Sequence, residues 1–360
     1  MADINWAASM QQTFEFYVVD PGTWGNKKKL DQVTGGTISR NDEDETLGGA
    51  NIVTTETLDE CYIRVYLICI QNGSRFEFPL GTFLVQTPKE IYNGRVRNIS
   101  LEAYTPLIEL KDNAPPYGFT AMAGDFILET VSNLVLDNAR APVSRATSND
   151  VLQSDFVSDF DSDTWLSYLS DMLSQIDYKF GLDEMGRILF EKKPDPTALT
   201  PVWTFDDGNS SILYPEVTID RDLYGVPNVV EVLYSDENNF KFARVENRDD
   251  NSPTSIQNRG REVLHRVSNP DDLADDTTSP SQRQINDYAK NLLRDLSSLE
   301  YTVTYTHGYC PVRVGDAVWL NYENAGLKNV RAVVKSQDIT LRPGCPVSET
   351  AVFTKKLWRG

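Results

Sequence analysis

Several things are scarce in this chain of 360 residues, and each scarcity closes a line of interpretation. There are two histidines, His265 and His307, so a zinc site or a histidine-based catalytic triad would have to be built from these alone. His307 follows an alternating segment and precedes Gly308, as a turn residue would, and His265 lies in a polar stretch. The four cysteines, Cys61, Cys69, Cys310 and Cys345, show no C-x-x-C spacing, which removes zinc-knuckle and thioredoxin-like readings. Cys61 and Cys69 share a strand and would lie roughly 26 Å apart, too far for a bridge. Reduced thiols acting as small hydrophobes are expected, and a Cys310–Cys345 bridge is left open. No apolar run approaches the roughly 20 residues that span a bilayer. The N-terminus, Met1 to Trp6, has no basic stretch followed by an apolar one, so no signal peptide is expected and assembly in a cytoplasm is. There is no P-loop, no Gly-x-Gly-x-x-Gly after a strand and no Gly-x-Ser-x-Gly elbow.

Basic residues are also in the minority: 34 against 53 acidic ones, a formal charge of −19. That opposes tight binding to a nucleic-acid backbone, which needs clustered cations. The one basic run, Lys27-Lys28-Lys29, reads as a solvated loop tip. An acidic surface would suit a channel wall that DNA slides past without sticking.

What is present is β-forming sequence. Hydrophobic residues make up 40% and aromatics 10%, enough for packed cores, and the length predicts two or three domains. Residues 1–112 read as strands. Thr13–Val19 ends at the turn Asp20-Pro-Gly22. Cys61–Ile70 carries an unbroken apolar face at its odd positions, while its even positions mix Tyr62, Arg64 and Tyr66 with Ile68 and Ile70. Both faces are thus partly apolar, as in a strand that packs on a core and also meets something else. Gln71-Asn-Gly73 and Asn93-Gly94 supply turns. Between Arg75 and Val85 the apolar parity slips across Pro79-Leu80-Gly81, which predicts a bulge of the kind that lets a sheet curl.

Residues 113–200 change character after Ala114-Pro-Pro-Tyr-Gly118. Helices are predicted over Asp125–Asn138 and Ser162–Ile176, the second capped by Ser162 or Asp163 with Trp165, Leu169, Met172 and Leu173 in its stripe. A hairpin turning at Asp183-Glu-Met-Gly186 follows. Residues 201–360 return to strands, with a long surface loop at about 247–276 and a helix at about 280–298 opened by Ser279-Pro280. Tyr301–Thr306 alternates strictly, and Val312–Leu320 holds Gly315-Asp316 between apolar residues.

The chemistry-bearing patterns give way to blander readings. Asp159-x-Asp161-x-Asp163 would place Thr164 where a calcium loop needs glycine and Ser170 where it needs a bidentate glutamate, so the cluster reads as a helix-capping acidic loop. With so many acids, a carboxylate pair at a glycosidase spacing is unavoidable and decides nothing. The tryptophans (Trp6, Trp24, Trp165, Trp203, Trp319, Trp358) are scattered, with Trp165 and Trp319 at core positions. Asn98-Ile-Ser100 and Asn209-Ser-Ser211 match the glycosylation sequon by chance. Catalytic, metal and cofactor sites are each expected to be absent.

Three stretches, in order, resemble the phage tail hub family, which includes the hub part of contractile injection spikes. Leu80–Pro88 with Gly81 and Phe83, followed by Asn93-Gly94 and Ile99–Leu110, looks like the strand and short helix that end its first barrel. Gly124–Phe190, with Trp165 and Gly186, resembles its small α/β domain. Gly260-Arg-Glu, the Pro280 helix and Val314-Gly315-Asp316-Ala-Val318 resemble its last barrel. The resemblance implies a mainly-β α+β fold: a first barrel (1–112), a small α/β domain (113–200) and a second barrel (201–360) fed by the helix. It implies a homotrimer at the virion tail tip that adapts the hexameric tail tube to trimeric tip proteins and lines the DNA-ejection channel. The partners would be a distal tail or tail tube protein, the tape measure protein and a tip fibre or spike protein, with DNA only in transit and no membrane. Tyr62, Arg64, Tyr66 and Ile68 are then the candidate inter-subunit strand. Because the chain stops at Gly360, no peptidoglycan-cleaving domain and no enzymatic activity are expected. The alternative is a carbohydrate-binding host-recognition protein of the tail tip.

Overall fold

The structure is a computed structural model, and it describes residues 4–94, 96–195, 198–208, 211–235, 240–270, 273 and 279–360. The Asn209 sequon and part of the 247–276 segment fall outside the described residues. Contacts divide the chain into two compact units, Met1–Val217 with Thr304–Ala351, and Thr218–Val303 with Val352–Gly360.

The first unit begins with seven strands: β1 (Gln11–Val19), β2 (Asn26–Leu30), β3 (Val33–Asn41), β4 (Gly48–Thr54), β5 (Cys61–Gln71), β6 (Ser74–Asn93) and β7 (Val96–Tyr104). The local sequence rules operate visibly here. Gln71 pairs with Ser74 across a two-residue turn in which Asn72 and Gly73 both take positive φ, the geometry of a type I′ hairpin. Val65 pairs with Gly81 and Tyr66 with Pro79, leaving Leu80 as the extra residue of a bulge where the apolar parity slips. The Lys27–Lys29 run lies on β2 rather than in a loop. Its lysines are exposed, Lys29 Nζ is 2.8 Å from Glu15 and Lys28 pairs with Glu56, as suits a charged edge strand.

Next come a short helix α1 (Ile108–Lys111), the ribbon β8 (Thr120–Ala121) and β9 (Phe156–Val157), two helices α2 (Ile127–Asn138) and α3 (Trp165–Ser174), and the hairpin β10 (Tyr178–Leu182) and β11 (Ile188–Lys192). They share a core of their own in which Val131, Val135, Trp165, Leu169 and Met172 are buried. Each aliphatic of that set stabilises by about 1.5–3 kcal/mol. Thr164, not Ser162 or Asp163, caps α3: its hydroxyl accepts from Ser167 N at 3.1 Å in a reciprocal box, because it is the last residue with an extended backbone.

The remaining strands are β12 (Trp203–Asp206), β13 (Leu213–Arg221), β14 (Val229–Ser235), β15 (Phe240–Glu246), β16 (Leu264–Ser268), β17 (Ser298–Gly308), β18 (Ala317–Tyr322), β19 (Leu327–Thr340) and β20 (Pro346–Lys356), with helices α4 (Ile256–Arg259) and α5 (Gln282–Leu296). The main sheet runs β13-β17-β20-β19-β3-β4-β7-β6-β5-β1-β2, with β18 beside β19 and β12 beside β18. The fold class is α+β and mainly β. Among the described residues no pairing closes this path into a ring. Early and late strands meet at β3 and β19, where Ile38 opposes Ile339, and one core holds Ile52, Val65, Leu67, Leu101, Ile339 and Val347 together. Beyond Val85 the β5 partner ends, and the far part of β6 pairs only with β7.

In the second unit β14 lies between antiparallel β15 and parallel β16. Helix α5 buries Ile285, Ala289 and Leu293 against Val230, Val232 and Ala243. Two expectations are corrected. The helix is capped by Ser281, whose hydroxyl accepts from Gln284 N at 3.3 Å, and Pro280 precedes it. The 247–276 segment is not simply a surface loop. It carries α4 and β16, and Asn247, Ser252, Thr254 and Ser255 are buried, because their side chains bond one another or the local backbone.

Candidate functional site

Three polar centres in the first unit combine burial with charge. The first is Arg64 on β5, only 1% exposed. Its Nε donates to Thr82 Oγ1 at 2.9 Å. Its Nη1 donates to Asn26 Oδ1 at 3.1 Å and Trp24 O at 3.2 Å, and its Nη2 to Trp24 O at 3.2 Å and Met185 O at 3.0 Å. Every acceptor is neutral, and two of them are carbonyls offered by turns. Trp24 takes φ 57° in one turn and donates its indole N–H to Met185 O at 2.7 Å in the other. Gly186 takes φ 77°, and a Cβ there would lie 2.7 Å from Thr82 Cβ, so only glycine lets the second turn approach β6. The even face of β5 is therefore covered within the chain at Tyr62, Arg64 and Ile68, while Ile70 at its end is exposed. Tyr62 and Ile68 are buried with Arg64, and Tyr62 meets the Trp24 ring at 4.8 Å. Of the four residues expected to face another subunit, Tyr66 alone is not fully buried.

The second centre is a cavity of about 150 Å³ lined by Arg40, Gly81, Phe83, Lys179, Glu184 and Arg313, with Gly186 at its wall. Gly81 lets Phe83 fold back over it, since a Cβ would sit 2.3 Å from Phe83 Cζ. Asp42 pairs with Lys179 and lies 3.4 Å from Lys335. Burial alone would raise its carboxyl, but the two ammonium groups outweigh that and hold it below its ordinary value. Glu184 lies 2.7 Å from Arg313 and 3.9 Å from Arg40. Arg313 opens the turn that Gly315 and Asp316 close: Gly315 has φ 91°, and Asp316 Oδ2 accepts from Arg313 N at 2.8 Å. Burial pushes the Asp316 carboxyl up. Gly81, Phe83 and Gly186 thus converge on one junction, with Gly315 and Asp316 in the turn behind Arg313. Trp165 stands apart in the helical core, against Phe119 at 4.9 Å. These ionic groups are paired with one another and so tie together the elements that carry them.

Sequence reasoning missed the third centre. Glu349 on β20 is wholly buried between β17 and β19. Tyr305 Oη donates to its Oε2 at 2.7 Å, and Gln337 Nε2 to its Oε1 at 2.5 Å. His307 Nε2 lies 3.1 Å from Oε1, off the hydrogen-bond line, and its Nδ1 is 2.7 Å from Gly308 O. Burial and the nearby carboxylate push the Tyr305 phenol up, so it remains a donor. His307 is thus a buried strand residue, not a turn residue, because it continues the inward parity of Tyr301, Val303 and Tyr305. The signal for Glu349 was available: it shares parity with inward-facing Val347 and Ala351. His265 is exposed on β16. Trp319 faces outward at 38% exposure, because Val318 and Leu320 take the core positions beside it.

Among the described residues no group of three histidine, cysteine or acidic side chains is placed to hold a metal, and all four cysteines are free. The 159–163 acids bond backbone instead: Asp163 Oδ2 accepts from Asp159 N at 2.7 Å, and Asp159 Oδ1 from Asp161 N at 2.9 Å.

No family model matches the chain, and no curated protein matches it in sequence. Solved structures do. A tail protein from Neisseria meningitidis MC58 superposes with TM-score 0.60 over 95% of this chain and 96% of its own, at 14% identity. The 43 kDa tail protein of prophage MuSo2 from Shewanella oneidensis gives 0.59 over 94% and 98%, at 11% identity. This chain has the fold of a phage tail protein. The phage tail fold extends to a chain of the Francisella PdpA–VgrG complex, with TM-score 0.52 and 9% identity over 98% of this chain and 54% of that one. In this phage tail fold the Arg64 and Glu349 centres are buried, and the cavity beside Gly81 is bounded by paired charges.

Proposed function

We propose that the protein is a structural hub of a phage tail tip or baseplate. It assembles as a homotrimeric ring that adapts the hexameric tail tube to trimeric tip proteins and contributes to the wall of the DNA-ejection channel. One observation carries this reading: nearly end-to-end superposition, in both directions, on the 43 kDa tail protein of prophage MuSo2. The formal charge of −19 supports a lumen that DNA crosses without adhering. Its partners on this reading are further copies of itself, a distal tail or tube protein, the tape measure protein and a fibre or spike, in the virion and at the tip. It has no catalytic role. The full burial of His307 supports that, since a group that no substrate can reach cannot exchange a proton with one.

The test is electron microscopy of the purified chain with its tube protein, reconstructed without imposed symmetry. A threefold ring around an axial channel is the expected result. A peripheral monomer with a sugar-sized cleft would replace the hub reading with host-glycan recognition.

A further inference from the structure

The helical module between α1 and β10 leaves a group of large apolar side chains uncovered. Tyr117 is 86% exposed, Phe160 70%, Val157 61%, Met122 58% and Phe126 47%. They belong together. Thr120 of β8 pairs with Val157 of β9, which brings residues 117–122 alongside 156–160, and the Tyr117 and Phe160 rings meet edge-on at 5.7 Å. Phe126 bridges to Val151, and Asp125 Oδ2 accepts from Met122 N at 3.1 Å, fixing the Met122 turn. The backbone beneath these side chains is thus hydrogen-bonded, so the apolar atoms are presented by a built surface rather than by a frayed loop. Exposed apolar side chains scattered singly need no explanation, but a contiguous set does.

The charge around the set is of one sign. Residues 112–178 contain eleven acidic side chains and two arginines, Arg140 and Arg145, and no lysine, which places close to half of the chain's net charge of −19 in this module. Asp125, Asp155, Asp159 and Asp161 are all exposed on the segments that carry the apolar residues. Asp155 is anchored by accepting from Ala123 N at 2.9 Å. A partner must therefore bury apolar side chains while placing cations over the carboxylates. An acidic or neutral apolar partner would leave those carboxylates desolvated without compensation.

We propose that the Tyr117–Phe160 surface is a docking site for a polypeptide segment of another protein that carries apolar side chains flanked by lysine or arginine. The aromatic pair and Met122 are the apolar anchors, and the aspartates select the charge of the partner and speed its approach.

The experiment uses the full chain and two labelled helical probe peptides of equal length. They share one leucine and tryptophan pattern, with lysine between the apolar residues in one and glutamate in the other. The lysine peptide is expected to bind, as read by fluorescence anisotropy, and the glutamate peptide is not. Raising salt from about 0.15 M to about 1 M, which shortens the screening length from about 8 Å to about 3 Å, should weaken the lysine peptide. The double variant Tyr117→Ser, Phe160→Ser should weaken it about tenfold or more, with unchanged thermal melting showing that the module remains folded. Asp155→Asn with Asp159→Asn should reduce the salt dependence and leave the apolar contribution in place. Equal binding of both peptides, binding of neither, or binding that the serine variant leaves intact would each overturn the proposal. So would binding of chitotetraose at this surface in place of the lysine peptide. None of these outcomes depends on the protein forming a ring.

Discussion

Arg64 and Glu349 are both wholly buried charged groups in the same unit, and they are accommodated in opposite ways. The guanidinium cannot shed its proton, so the fold must solvate a permanent cation. It does so with neutral oxygens, chiefly the carbonyls of Trp24 and Met185, drawn from two turns. The carboxylate is met by side-chain donors on the strands either side of its own, Tyr305 on β17 and Gln337 on β19. The cation thus fixes turns to a strand, and the anion fixes strands to one another. A buried charge need not be an ion pair: what it needs is a full set of partners, and the partners decide which elements it unites.

The comparison can be broken at several points. Removing the cation should cost most. Arg64→Ala strands carbonyls in two turns and opens a cavity, so a loss of about 3–5 kcal/mol in urea unfolding is expected. Arg64→Lys, which keeps the charge but not the fork, should lose about half of that. A lysine variant as stable as the parent would show that charge, not geometry, holds the turns. Next is Gly186→Ala, which forces a side chain into a left-handed backbone against Thr82, for about 2 kcal/mol. Because the same turn presents Met185 O, this loss should shrink in the Arg64→Ala background, and strict additivity would argue against coupling. Glu349→Gln keeps the shape and most of the bonding, so about 1–2 kcal/mol should be lost. A loss matching that of Arg64→Ala would place the two charges on an equal footing.

Asp42 sharpens the comparison from outside it, as a half-buried carboxylate with formal cationic partners. Its pKa is lowered in the fold, so its contribution is present above the ordinary carboxylate range and disappears as pH falls through its folded value. Asp42→Asn should therefore cost about 1 kcal/mol at neutral pH, and its melting curve should converge with the parent's in acid. A pH-independent difference would mean that Asp42 acts by packing rather than by charge.

Legibility followed sequence distance. The turn at Asn72-Gly73, the bulge at Leu80 and the hairpin at Asp183–Gly186 were readable because a few adjacent residues dictate them. So was the apolar stripe of α3, whose period is local. What escaped was set by partners far along the chain. The even face of β5 looked like a surface for another subunit because nothing nearby shows that the turns at Trp24 and Met185 fold over it. Strand β16 looked like loop because parallel pairing to β14 leaves no hairpin signature. Trp319 was assigned to a core position, although the parity of Val318 and Leu320 points the other way. Glu349 was passed over because a single acid among apolar residues has no motif. The resemblance to phage tail hubs rested on the order of three weak patterns, and what the superpositions share with this chain is the fold.

The β6–β7 hairpin has a mechanical consequence. Strand β6 continues for eight residues past the last pairing with β5, and there it is accompanied by β7 alone. Two strands without a third hold a shape only marginally by themselves. The broad sheet behind them is a stiff frame, and the hairpin is a compliant arm clamped to it. Load applied at the tip bends the arm first and reaches the Leu80 bulge last. Such an arm takes its curvature from whatever lies alongside.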